Sequence, residues 1–119
     1  MCIRDSINLG VTRVLTSGQR ESAIKGAKTV KKMIEYTSGR IDILPGGGIN
    51  TQNVGEFINE TGAHSVHASA RSLRHDTSVC GNPEIFFGGK LNGVGIPENE
   101  YKVTDSALVK NVVAAIEAR

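Results

Sequence analysis

Three short runs rich in β-branched and apolar residues, TRVLT (Thr12 to Thr16), IDILP (Ile41 to Pro45) and SVHAS (Ser65 to Ser69), alternate with two stretches of helical periodicity. In the first stretch Ala23, Ile24, Ala27, Val30 and Ile34 recur opposite lysines, and Gly39 supplies a stop. In the second, Asn50 or Thr51 can cap a helix whose Val54, Phe57 and Ile58 form an apolar stripe, closed by Gly62. Strands that begin about 25 to 30 residues apart and are joined through helices are expected to be parallel, with right-handed crossovers, since a hairpin return needs only a few residues. The order βαβαβ therefore predicts an α/β fold. In such folds ligand chemistry gathers at the C-terminal ends of the strands. Here those ends release the loops TSGQ, PGGGIN and SARS.

With 119 residues the chain is one domain at most, and its 39% hydrophobic and 22% charged content is that of an ordinary globular protein. No apolar run reaches the roughly 20 residues that span a bilayer, and the start lacks a secretory layout, so a cytoplasmic location without membrane contact is expected. The net charge of +2 is small, and Lys25, Lys28, Lys31 and Lys32 lie along one predicted helix without interleaved aromatics. That pattern is a solvated helix face, and no nucleic-acid partner is expected. Residues 1–6, MCIRDS, are polar and aperiodic and are expected to be a non-native leader, which discounts Cys2. From Asp76 to Thr104 the chain is glycine-rich with no sustained period, which predicts a long excursion serving as a lid, an interface or a variable loop, with Phe86 and Phe87 as packing anchors. A final amphipathic helix follows, carrying Leu108, Val109, Val112, Val113 and Ile116, with Thr104 or Asp105 as its cap.

Gly46, Gly47 and Gly48 lie just ahead of a helix start, where backbone N–H groups can approach an anion with no Cβ in the way. A tight turn alone would be served by one glycine, so the run reads as an anion cradle, with Asn50 and Thr51 adding donors. In SVHASAR, alternation puts Ser65, His67, Ser69 and Arg71 on one side and Val66, Ala68 and Ala70 on the other. Parallel strands are normally apolar on both faces, so this polar side is expected to line a cavity. There His67 could act as acid, base or metal ligand and Arg71 could clamp a carboxylate or phosphate; the competing reading is a hydrogen-bonded core histidine beside an ion-paired arginine. Thr16, Ser17 and Gly18 after the first run offer further donors. Metal ligands are sparse: His64, His67, His75, Cys80, Met33 and Cys2, with His64 and His67 an odd offset apart and so on opposite faces of a strand. Two cysteines so far apart form neither a disulfide framework nor a CxxC site, and weakly indicate a reducing compartment.

Taken together, LGVTRVLTSGQ, GRIDILPGGGIN, HASAR and YKVTD, in this order and at these separations, resemble the C-terminal half of the CutC family of copper homeostasis proteins. The resemblance covers the chain from Ile7 to its end. It implies the C-terminal portion of a (β/α)8 TIM barrel, about strands six to eight plus a terminal helix. Thr16, Ser17 and Gly18 would then follow strand six, Gly46 to Gly48 strand seven, and His67, Ser69 and Arg71 would stand at strand eight, all around one mouth. It also implies a cytoplasmic protein that binds copper, with Cu(I) the expected form and His67 the best metal candidate here, and that self-associates when complete. The alternative is a barrel enzyme acting on a small phosphorylated or carboxylated metabolite, with His67 and Arg71 as its catalytic pair. Such barrels take about 250 residues, so three βα units are expected to leave sheet edges and apolar interior uncovered.

Overall fold

The computed structural model describes residues 2–75, 90–91, 94–95 and 100–119. Two strands, β1 (Arg13–Thr16) and β2 (Asp42–Pro45), pair in parallel, with Arg13 opposite Asp42, Leu15 opposite Leu44 and Thr16 opposite Pro45. The crossover between them carries helix α2 (Ala27–Thr37), and α3 (Val54–Thr61) follows β2. Strand alternation sorts the side chains. Ile43 is buried and Val14 packs toward the helices, where Val30, Val54, Phe57 and Ile58 form the core. On the opposite face Arg13 pairs with Asp42, which also accepts from Ser65 Oγ, while Leu15 stays 61% exposed.

Several boundaries differ from the sequence expectation. Ala23 is fully buried, but it and Ile24 belong to a turn ahead of α2, and Ile24 is 40% exposed. The regular helix begins after Gly26 because the chain there passes against the preceding loop: a Cβ on Gly26 would stand 2.0 Å from the Ser17 carbonyl oxygen. α2 ends with Ser38 in the left-handed region (φ 47°), one residue before the expected Gly39, and α3 ends as predicted at a left-handed Gly62. Asn50 caps a leading turn, accepting from the Gln52 N–H at 2.8 Å, and α3 proper starts at Val54. The leading residues also acquire structure. Ile3 to Ser6 open helix α1 (Ile3–Asn8), with Ser6 buried and Ile3 and Ile7 against the core; six residues are too few for a periodicity to show.

The third predicted strand is reduced to a single parallel bridge between Gly46 and His67, with the His67 N–H on the Pro45 carbonyl at 2.8 Å. Its side alternation survives, since Val66 and Ala68 pack on the core while His67 and Ser69 are exposed. At Ala70 the backbone turns through positive φ (42°), and β3 (Arg71–His75) leaves to pair antiparallel with β6 (Glu100–Thr104). The stretch expected to be irregular up to Thr104 thus includes a strand, as well as the short pair β4 (Lys90–Leu91) and β5 (Val94–Gly95). RSLRH is too polar to announce a strand, and its partner lies 25 or more residues away in sequence, so no local signal marked the ribbon. Cys80, Phe86 and Phe87 lie outside the described residues.

Helix α4 (Ser106–Glu117) packs on α3, and Asp105 is its cap: the carboxylate accepts from Ala107 N at 2.9 Å and Leu108 N at 3.4 Å. Among the described residues no helix is long and apolar enough to cross a membrane.

Two expectations follow from this packing. The 119-residue chain expressed alone should elute as aggregate and lack a cooperative unfolding transition, because Leu15 and the free edge of β1 are uncovered; a monomeric peak with a sharp transition would contradict it. In the longest open reading frame that carries this sequence, Gly26→Ala should destabilise by about 1–3 kcal/mol, read from the denaturant midpoint, since the added methyl meets backbone that cannot rotate away.

Candidate functional site

A cavity of about 670 Å³ opens where β2 and the His67 segment release their chains. The loop from Gly47 to Gln52 forms one wall, His67 to Arg71 a second, Lys102 of β6 a third, and Leu108 and Val112 of α4 an apolar fourth. The structure therefore brings together Gly47, Gly48, Asn50, His67, Ser69 and Arg71 of the residues singled out in the sequence.

Each of the three glycines has a conformational reason. A Cβ on Gly46 would lie 3.1 Å from both His67 Cβ and Leu15 Cδ1, so its absence lets the His67 segment dock beside β2. Gly47 (φ 107°) and Gly48 (φ 75°) occupy backbone regions that side chains disfavour. Gly47 and Gly48 thus serve the turn itself, and Gly46 the docking of the His67 segment. The polar atoms are divided as well. The Gly46 N–H donates to the Thr16 carbonyl at 2.9 Å, and the Gly47 carbonyl accepts from Ala23 N at 2.8 Å. Asn53 holds the loop from within, donating through Nδ2 to the Gly48 carbonyl at 2.9 Å and accepting from Asn50 N at 2.9 Å. Among the described residues the N–H groups of Gly48 and Ile49 take part in no hydrogen bond, so the donors free for a ligand sit later in the loop than the first glycine.

Thr16, Ser17 and Gly18 lie beside this cavity, outside its described lining. Thr16 Oγ1 accepts from Gly18 N at 3.0 Å, Ser17 Oγ donates to the Arg20 carbonyl at 2.6 Å, and Gly18 is buried with its own would-be Cβ 2.4 Å from the Gly26 carbonyl oxygen. Their polar groups close the β1–α2 loop. Asn50 lines the cavity while its Oδ1 holds Gln52.

His67 is exposed toward the cavity, and among the described residues neither its ring nor the Arg71 guanidinium has a hydrogen-bonded or ion-paired partner, unlike the core histidine and paired arginine of the competing reading. Lys102 was not singled out in the sequence. A lysine in an alternating run reads as solvated, and only the ribbon register, with Arg71 opposite Thr104 and Leu73 opposite Lys102, puts it on the same ribbon face as Arg71. Among the described residues the lining holds these two cations and no carboxylate.

For metal chemistry, the described residues contain no group of three or more His, Cys, Asp or Glu side chains able to hold an ion. His64 lines a separate cavity of about 250 Å³ with Asp42, whose described lining does not include His67. Met33 packs against the core and Cys2 is exposed ahead of α1.

Comparison with known proteins now decides the family. The CutC family pattern matches residues 1–72. The chain belongs to the CutC family. A CutC family protein of Treponema denticola is 47% identical over 110 residues, which cover 92% of this chain and 44% of that protein. The human copper homeostasis protein cutC homolog is 38% identical over 108 residues, 91% of this chain and 38% of that one. A crystal structure of CutC from Streptococcus agalactiae superposes with a TM-score of 0.51 at 36% identity, over 55% of this chain and 32% of that one. The chain thus spans about two-fifths of the length of these curated relatives. CutC is a TIM-barrel family, and a parallel pair covered by helices on one face and bare on the other is what part of such a barrel presents.

The apolar wall depends on Asp105. Ser72 of β3 donates to its carboxylate, and with the Ala107 and Leu108 N–H groups and nearby Arg74 holds its pKa below the ordinary 3.8. A depressed pKa means that the stabilisation is complete above pH 3.8 and disappears as pH falls through the lower, folded value. Acid titration of the longest open reading frame that carries this sequence should therefore shift the Ala107 and Leu108 amide resonances below pH 3.8. Asp105→Asn should flatten that response, and an unchanged titration in the variant would remove Asp105 as its source.

Proposed function

We propose that this chain is the part of a cytoplasmic copper homeostasis protein that supplies about strands six to eight of its barrel, with His67, Ser69, Arg71 and the Gly46–Gly48 loop around the mouth. The observation that carries the reading is family membership across most of the chain, together with relatives named for copper homeostasis. The described residues by themselves do not fit a copper ion. Cu(I) favours thiolates and thioethers, whereas the described lining offers only the His67 imidazole as a metal ligand. The soft ligands would then come from the rest of the protein, and self-association would belong to the complete barrel.

The cavity's chemistry favours a second reading, in which the mouth takes a small phosphorylated or carboxylated metabolite. Arg71 lines it with no ion-pair partner among the described residues, beside the loop whose Gly48 and Ile49 N–H groups enter no hydrogen bond there. In that reading Arg71 clamps the anion and His67 serves as acid or base. The two readings are compatible in one protein.

Competition titration of the longest open reading frame with Cu(I) against a chelator, wild type beside His67→Ala, tests the first reading. Tight stoichiometric binding that weakens about tenfold or more on loss of the imidazole is expected, a change of roughly 1.4 kcal/mol. No competitive binding would detach the copper role from this protein and leave the anion site as its function.

A further inference from the structure

Asn53 stands at the cap position of α3, where an asparagine ordinarily accepts from the second or third helical N–H, yet its side chain makes no such bond. The amide turns back on the glycine loop instead. Its Nδ2 donates to the Gly48 carbonyl and its Oδ1 accepts from Asn50 N, both at 2.9 Å, so one planar group carrying a donor and an acceptor spans the stretch from Gly48 to Asn50. Asn53 is not itself in the described lining of the cavity.

The consequence lies in the peptide planes. In a trans peptide the carbonyl and the N–H that follows it point in opposite directions. The Gly47 carbonyl is tied to Ala23 N at 2.8 Å, which turns the Gly48 N–H away from Ala23; the Gly48 carbonyl is tied to Asn53, which turns the Ile49 N–H away from Asn53. Neither N–H enters a hydrogen bond among the described residues, and both residues line the cavity. The first tether runs backbone to backbone, but the second depends on one side chain. Gly48, at φ 75°, occupies a region that glycine enters and leaves at little cost, so without the Asn53 amide the Gly48–Ile49 peptide is free to rotate and present its carbonyl oxygen where its N–H stood. An anion would then meet an acceptor in place of a donor. Asn50 Nδ2 reaches the same carbonyl only at 3.4 Å, and the buried Ile49 side chain fixes where the chain runs rather than how that peptide is turned.

We propose that Asn53 is a positioning residue of the anion site: by holding the Gly48 carbonyl it keeps the Ile49 N–H available as a donor to the anion that Arg71 clamps. This role rests on the anion-site reading above and adds to it a residue that acts through the loop. The abandoned helix cap is its signature, since an asparagine that capped α3 would leave the Gly48 carbonyl without its 2.9 Å donor.

The test follows the Gly48 and Ile49 amide resonances of the longest open reading frame carrying this sequence during titration with inorganic phosphate and with acetate. Both resonances should move with at least one of these anions in the wild type, and Arg71→Gln should weaken the binding. Asn53→Ala removes the tether, and Asn53→Asp keeps the acceptor but sets a carboxylate against the Gly48 carbonyl. Each should weaken binding about tenfold, a change of roughly 1.4 kcal/mol, with the Ile49 amide no longer responding to the anion. Val30→Ala, a truncation in the core rather than the loop, should lower the unfolding midpoint and leave the affinity unchanged, which separates loss of positioning from loss of stability. Wild-type affinity with a retained Ile49 response in both Asn53 variants, or equal weakening by Val30→Ala, would overturn the role of Asn53 while leaving an anion site in place. Failure of both anions to move these resonances in the wild type, or binding insensitive to Arg71→Gln, would instead remove the anion-site reading on which that role stands.

Discussion

The parallel register that sets Leu15 opposite Leu44 and Thr16 opposite Pro45 fixes the height at which each strand releases its chain, and the rest of the molecule is arranged around that height. Gly46 then bridges His67, so the third segment leaves at the same rim. This alignment depends on a close backbone approach at Gly26 and a tight side-chain contact at Gly46. Gly26 passes against the Ser17 carbonyl and Gly46 against His67. A methyl at Gly26 would force the loops apart, whereas at Gly46 His67 and Leu15 would have to give by a few tenths of an ångström. The glycines read as ligand chemistry also serve architecture, and the cavity lies where the glycine loop and the His67 segment leave at one rim.

Antiparallel pairing of β3 with β6 is the second constraint. It converts two sequence-distant polar runs into one surface carrying Arg71 and Lys102, and Asp105 links that ribbon to α4 through Ser72 and the first-turn N–H groups. Helix α4 is thereby held with Leu108 and Val112 toward the cavity. Cationic and apolar walls are consequently positioned by one junction. Copper chemistry makes different demands: the described part of the mouth contributes one imidazole, so a soft-metal site would need the remainder of a CutC protein to complete it.

Much of the architecture was legible because burial imposes period. The α2 stripe through Ala27, Val30 and Ile34, the α3 stripe through Val54, Phe57 and Ile58, and the Asp105 cap of α4 all occur where helical spacing places them. His67 and Ser69 fell on the exposed side opposite Val66 and Ala68 for the same reason. Local pattern failed where length or partner distance removed the signal. Six residues of α1 show no period, and β6 reads as a strand only once its antiparallel partner β3 is known.

By itself the sequence determined the α/β order, the parallel crossover, the helical faces and the family, since each rests on local periodicity or on contiguous motifs. Tertiary structure alone decided which polar groups remain available. It joined Thr16, Ser17 and the Gly46 N–H to the loops and sheet, left the Gly48 and Ile49 N–H groups without a hydrogen bond among the described residues, and set Lys102, whose own interactions are not described, on the face of Arg71. The physical reason is that hydrogen-bond commitment and charge convergence are properties of pairs in space, and here the members of those pairs lie on different strands and loops.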